Sequence, residues 1–156
     1  MYKKAFIALF IVVFTAVLGM GIISPLMPIY AESMGATGLW LGIMYSAFAL
    51  SRTIFMPFMG RLSENRGRKV FIALGLLAYT IVSFSYVLAS NMYALSSVRF
   101  LHGIASAMVI PIAQAYIGDL IPKGREGTYM NLFSMSMFLG RGAGPFLGGL
   151  LADIFL

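Results

Sequence analysis

Residues 60–69 read GRLSENRGRK. Half of these positions are charged, in a chain whose 156 residues include only 11 Lys and Arg and 5 Asp and Glu. The flanking sequence is nearly continuous Phe, Ile, Leu, Met and Ala. A short charged stretch between two long apolar runs reads as a connection at a membrane surface, and the rest of the chain bears this out.

The chain is 60% hydrophobic and 10% charged, with a mean hydropathy of +0.92. A soluble domain averages about 25% charged residues. A soluble chain of this length could not hide so much apolar surface, so composition places the sequence in the membrane class. With no Cys, it has no disulfide framework, thiolate nucleophile or thiolate metal site.

A helix needs about 20 apolar residues to cross a bilayer. Five segments reach that length, at about 5–29, 39–59, 70–90, 93–118 and 128–152. Each is expected to be helical, because hydrocarbon offers no partner for free backbone N–H and C=O groups. The connections 30–38, 60–69 and 119–127 carry Gly with polar or charged residues. No linker or low-complexity tract interrupts residues 1–156, which read as one all-α membrane domain. The first segment resembles a signal peptide, but its apolar run is longer than a cleavable core. Pro25 and Pro28 follow it without a small-residue cleavage site. It reads as a retained span.

Eight of the 11 basic residues fall in three places: Lys3 and Lys4; Arg61, Arg66, Arg68 and Lys69; Lys123 and Arg125. Five spans put these places on one side, and the opposite loops hold only Glu32. The positive-inside rule then predicts a cytoplasmic N-terminus and an external C-terminus. The net charge of +6 reflects topology and contact with anionic headgroups rather than nucleic-acid binding.

The spacing within 60–69 says more. Gly60, Leu62, Glu64, Gly67, Arg68 and Lys69 resemble the signature between helices 2 and 3 of the major facilitator superfamily, Gly-x-Leu-x-Asp-x-x-Gly-Arg-Lys/Arg. Glu64 replaces the usual Asp, and Asn65 the Arg that often follows it. Gly60 would let helix 2 end close to a neighbour, and Gly67 would permit a tight turn. Glu64 and Arg68 could form a charged latch, with Arg68 between Glu64 and Asp119 of YIGDL. Two further stretches resemble the drug:proton antiporter branch. They are Leu18, Gly19, Pro25 and Pro28 (L-G-x5-P-x-x-P), and Gly140, Gly144, Pro145, Gly148 and Gly149 (G-x3-G-P-x2-G-G). RFLHGIASA at 99–107 resembles a fourth family motif, R-x-x-Q-G-x-G/A, with His102 in the Gln position. PFMGRL at 57–62 also recurs as PFLGGL at 145–150. Helices 2 and 5 thus read as members of an inverted three-helix repeat.

The resemblance implies twelve helices in two halves, of which this chain would supply the first five, with the sixth missing. It implies alternating-access transport of a small molecule, in the form of proton-coupled, multidrug-like efflux, as part of a larger transporter. A metabolite or sugar carrier of the same fold is the alternative within transport. A non-transporting membrane fragment or interaction partner is the alternative outside it. The missing C-terminal half, or a second copy of the chain, would complete the pathway. Neither a metal nor any other cofactor is expected, and no enzymatic site is recognised. GRGAG lacks the strand and Lys-Ser/Thr ending of a phosphate loop.

Three Arg remain inside spans: Arg52, Arg99 and Arg141. Charge at membrane depth costs about 2.5–3.5 kcal/mol on insertion scales, which makes all three candidates for a proton or substrate pathway. The resemblance assigns the Arg99 position to proton coupling; otherwise Arg99 snorkels to the surface. Arg52 attracts an anionic group in a central cavity or braces two helices. Arg141 reaches towards a carboxylate of the missing half. His102 lies three residues from Arg99 on one helix face. It reads as a neutral hydrogen-bonding residue, or as a proton carrier. The glycine stripe of helix 5 permits close packing, and the resemblance sets it against the other half. The tyrosines read as lipid-facing or packing residues.

Overall fold

The computed structural model describes residues 2–155. They form five helices: α1 (Tyr2–Ser33), α2 (Gly38–Arg66), α3 (Arg68–Leu88), α4 (Met92–Leu120) and α5 (Glu126–Phe155). Among the described residues there is no strand. Four of the five helices exceed their expected spans at both ends, and α3 is displaced by two residues. The reason is that apolarity marks only the hydrocarbon layer, whereas helical hydrogen bonding continues into the headgroup region.

Two expectations are corrected here. The stretch 60–69 is not a loop: α2 runs through Arg66, α3 starts at Arg68, and Gly67 alone breaks the helix. Gly67 has φ +96°, a conformation open to glycine, and its N–H donates to Ser63 O at 3.0 Å. Helix 1 does not end at its proline motif. Pro25 and Pro28 lie within α1, which continues to Ser33.

α1, α2, α3 and α4 are each long and apolar enough to cross a membrane. The expectation of five apolar spans is corrected at α5, which has 30 residues but is not apolar enough among the described residues, since Arg141 and six glycines lower its apolarity. Large apolar side chains such as Phe58, Phe84, Val87, Leu88 and Phe146 are exposed. In water such a surface would be very costly; against lipid tails it is the expected outer face.

The chain forms two compact units. The first contains α1 up to Met27, the end of α4 from Ala113, and α5. Its core includes Val13, Val17, Ile117 and Phe133. The second runs from Pro28 to Ile112 and so contains α2, α3 and most of α4. Met44, Phe71, Leu95 and Val109 are buried there. The divisions cut α1 and α4 within helices, not at linkers.

Candidate functional site

In the second unit, glycine brings both neighbouring helices against α4. A Cβ on Gly103 would run into Ser51 Oγ and Phe48 O of α2. A Cβ on Gly75 of α3 would lie 2.7 Å from Val109 Cγ2 and 2.8 Å from Met108 Cβ. These approaches enclose one face of α4, where Arg99, His102 and Ser106 follow one another at helical spacing. Arg99 is 3% exposed, and His102 and Ser106 are fully buried.

Aromatic rings build the walls. His102 Nδ1 is hydrogen-bonded to Tyr86 Oη at 2.9 Å. The rings of Tyr79 and Phe48 meet the imidazole edge-on, with centroids 4.6 and 5.6 Å away. The Arg99 guanidinium lies over two rings, 5.2 Å from the centre of Tyr45 and 5.6 Å from that of Tyr86. Such contacts attract a cation without neutralising it. The unit's two acids, Glu32 and Glu64, are both exposed, and neither pairs with Arg99. Three buried polar atoms here lack a hydrogen-bond partner among the described residues: Arg99 Nε and Nη2 and His102 Nε2. Buried polar groups are almost always satisfied. Arg99 and His102 thus keep unused hydrogen-bonding capacity beside a cation with no acid partner.

Arg99 and His102 are therefore brought together as their spacing implied. Arg52 is half-buried on α2, beside the Gly103 crossing. Arg141 is exposed and belongs to the other unit. Among the tyrosines, read as lipid-facing or packing residues, Tyr79 is buried and Tyr45 exposed, and Tyr45, Tyr79 and Tyr86 pack against Arg99 or His102. Tyr79 and Tyr86 are two turns apart on one face of α3, a spacing visible in the sequence but common in any apolar helix. Ser106, at one more turn from His102, was equally visible.

The other motifs have mixed outcomes. Glu64 Oε1 and Arg68 Nη2 lie 3.7 Å apart across the Gly67 break, with the Glu64 side chain 63% exposed. An exposed pair of this kind contributes about 1 kcal/mol or less. Asp119, near the end of α4, is exposed and belongs to the first unit. The packing role expected of Gly60 is not observed: a Cβ there would meet nothing within 4 Å. Ser63 instead turns its hydroxyl back to Gly60 O, donating at 2.7 Å.

The α5 stripe is used, but against α1 in its own unit. A Cβ on Gly144 would lie 2.6 Å from Gly21 Cα, and one on Gly148 would lie 2.5 Å from Ile22 O. Gly140 faces Phe14 O and Val17 Cβ, each at 3.0 Å from its Cβ position. Pro145 Cδ lies 3.2 Å from the Cβ position of Gly21, and Pro25 Cγ lies 2.9 Å from that of Gly148. Gly149 and Gly19 face open space. On α1 the packed glycine is thus Gly21, which the motif does not contain.

A family model described as Major Facilitator Superfamily matches residues 9–156. An uncharacterized MFS-type transporter of Methanocaldococcus jannaschii is 41% identical over 153 residues, covering 98% of this chain and 40% of that protein. The quinolone resistance protein NorA of Staphylococcus aureus is 33% identical over 157 residues, covering 99% of this chain and 39% of that protein. The chain thus spans about two-fifths of the length of the relatives it matches.

Proposed function

The chain belongs to the major facilitator superfamily, a family of membrane transporters, and we propose that its 156 residues serve proton-coupled export of small hydrophobic compounds within a longer carrier. The supporting observation is Arg99, buried between two tyrosines with no acid partner. A cation held at membrane depth is costly unless its charge is used. An anionic group that arrives in only one conformation would favour that conformation by its differential binding. Arg99 and His102 then form the pathway, with Arg52 beside it and Arg141 reserved for the rest of the carrier. A second half completes the pathway, or, as a lesser alternative, a second copy of this chain. The similarity to a quinolone resistance protein favours drug-like cargo over a sugar or metabolite. The role is transport and not enzymatic catalysis.

Everted vesicles carrying the complete transporter test this reading. Acidifying their interior should drive uptake of ethidium, and a protonophore should stop it. Uptake that persists at the same rate with the protonophore contradicts proton coupling.

The distribution of basic residues supports a cytoplasmic N-terminus and an external C-terminus. Single Cys residues at Asn65 and Gly124 should react only with a reagent on the cytoplasmic side, and one at Thr37 only from outside. The native chain has no Cys to interfere. Reaction of the Asn65 and Thr37 positions from the same side contradicts the arrangement.

The charged latch gives a third expectation. With Arg68 paired to Glu64, Arg68→Ala in the complete carrier should slow efflux about fivefold, the equivalent of roughly 1 kcal/mol of conformational bias. Its level in the membrane should be unchanged. Wild-type rates in that variant rule the latch out.

A further inference from the structure

The first turns of α1 and α5, both in the first unit, enclose an open cleft of about 420 Å3. Lys3, Phe6 and Ile7 line it from α1, at positions that share one helix face. From the other side come Arg125, just before α5, and Thr128, Tyr129 and Leu132, again on one face. The Phe6 and Tyr129 rings meet edge-on at 4.9 Å and brace its inner wall.

The lining is graded. Both cations stand at the outer ends of their helices. At 1.5 Å per residue, Ile7 lies about 6 Å deeper than Lys3, and Leu132 about 10 Å deeper than Arg125. Polar Thr128 falls between. Among the described residues neither Lys3 nor Arg125 has an ion-pair partner, and no carboxylate lines the cleft. The nearby Glu126 is turned into its own turn, where Oε2 accepts from Gly124 N–H at 2.7 Å.

We propose that this cleft binds an anionic phospholipid, its phosphate between Lys3 and Arg125 and an acyl chain along Ile7 and Leu132. A free phosphate would satisfy the cations alone and leave the apolar depth unused. Zwitterionic headgroups bring their own cation and gain little from two more. Basic residues are attracted to anionic headgroups, and two that converge on one phosphate add their attractions. A built pair should therefore prefer an anionic over a zwitterionic lipid by about tenfold.

Native mass spectrometry of the purified 156-residue chain reads this preference. The chain is supplied with equal amounts of phosphatidylglycerol and phosphatidylcholine of matched acyl chains. Retained phosphatidylglycerol should exceed phosphatidylcholine about tenfold. Lys3→Gln with Arg125→Gln should bring the ratio near one, as should Lys3→Glu alone, at an exposed position. Arg61→Gln with Lys69→Gln removes the same charge elsewhere and should keep the preference. Excess glycerol phosphate should not displace the lipid. Equal retention of both lipids by the unmodified chain, equal loss in the Arg61 and Lys69 control, or displacement by glycerol phosphate would each overturn the assignment.

Discussion

Gly144→Ala is expected to lower the thermal unfolding midpoint of the chain in detergent by about 10 °C, while Gly149→Ala leaves it unchanged. The added methyl at Gly144 would lie 2.6 Å from Gly21 Cα and 2.8 Å from both Gly21 C and Leu18 O. All three are backbone atoms, so no side chain can rotate away. Overpacking of this kind costs about 1–3 kcal/mol when the surroundings yield, and α1 can yield only by moving as a helix. For a chain of this size each kcal/mol shifts the midpoint by about 2–4 °C. At Gly149 the same methyl meets nothing within 4 Å. Both glycines belong to one sequence motif, so the contrast separates packing geometry from motif membership. Gly21→Ala should behave like Gly144→Ala, since its methyl would lie 2.9 Å from Gly144 Cα. Equal losses at Gly144 and Gly149 would contradict the α1–α5 contact.

These glycines show what the sequence made legible. Length and apolarity located α1 to α4, because hydrocarbon forces helical hydrogen bonding wherever the run is long enough, and length with spacing located α5. Gly67 announced its break, since a charged stretch at a membrane surface must turn and a positive φ favours glycine. Close packing at Gly140, Gly144 and Gly148 was also readable from their spacing. The partner of that stripe was not. Any apolar helix with small residues can accept it, and Gly21 carried no distinguishing neighbour. At Gly60 no atom of the described residues lies within 4 Å of a Cβ position, and a glycine near a helix end can serve packing, turning or neither.

The site was only partly legible. Arg99 and His102 stood out because charge and imidazole are rare at membrane depth. The tyrosines around them did not. In a soluble helix the buried face contrasts with a polar one. In a membrane helix both faces are apolar, so Tyr45, Tyr79 and Tyr86 look like residues that face lipid. What separates them is tertiary: the crossings at Gly75 and Gly103 that turn three helices towards one another.

The central claim is that Arg99 is a cation kept at a cost for transport, and not a structural strut. Arg99→Met tests it most directly, because the variant keeps the apolar stem and removes the guanidinium. A strut loses stability when it is cut. A cation with unpartnered Nε and Nη2 should instead release part of its burial cost, of which the two tyrosine contacts already offset some. Removing a net penalty of about 1–2 kcal/mol should raise the unfolding midpoint of the chain by about 3–6 °C. In the complete carrier the same change removes a charge-assisted contact worth about 1.5–3 kcal/mol, so efflux should fall about 10- to 100-fold at unchanged protein level. The account predicts a more stable protein whose efflux is slowed by that factor. An Arg99→Met variant that melts lower than the native chain, or that exports at the native rate, would contradict it.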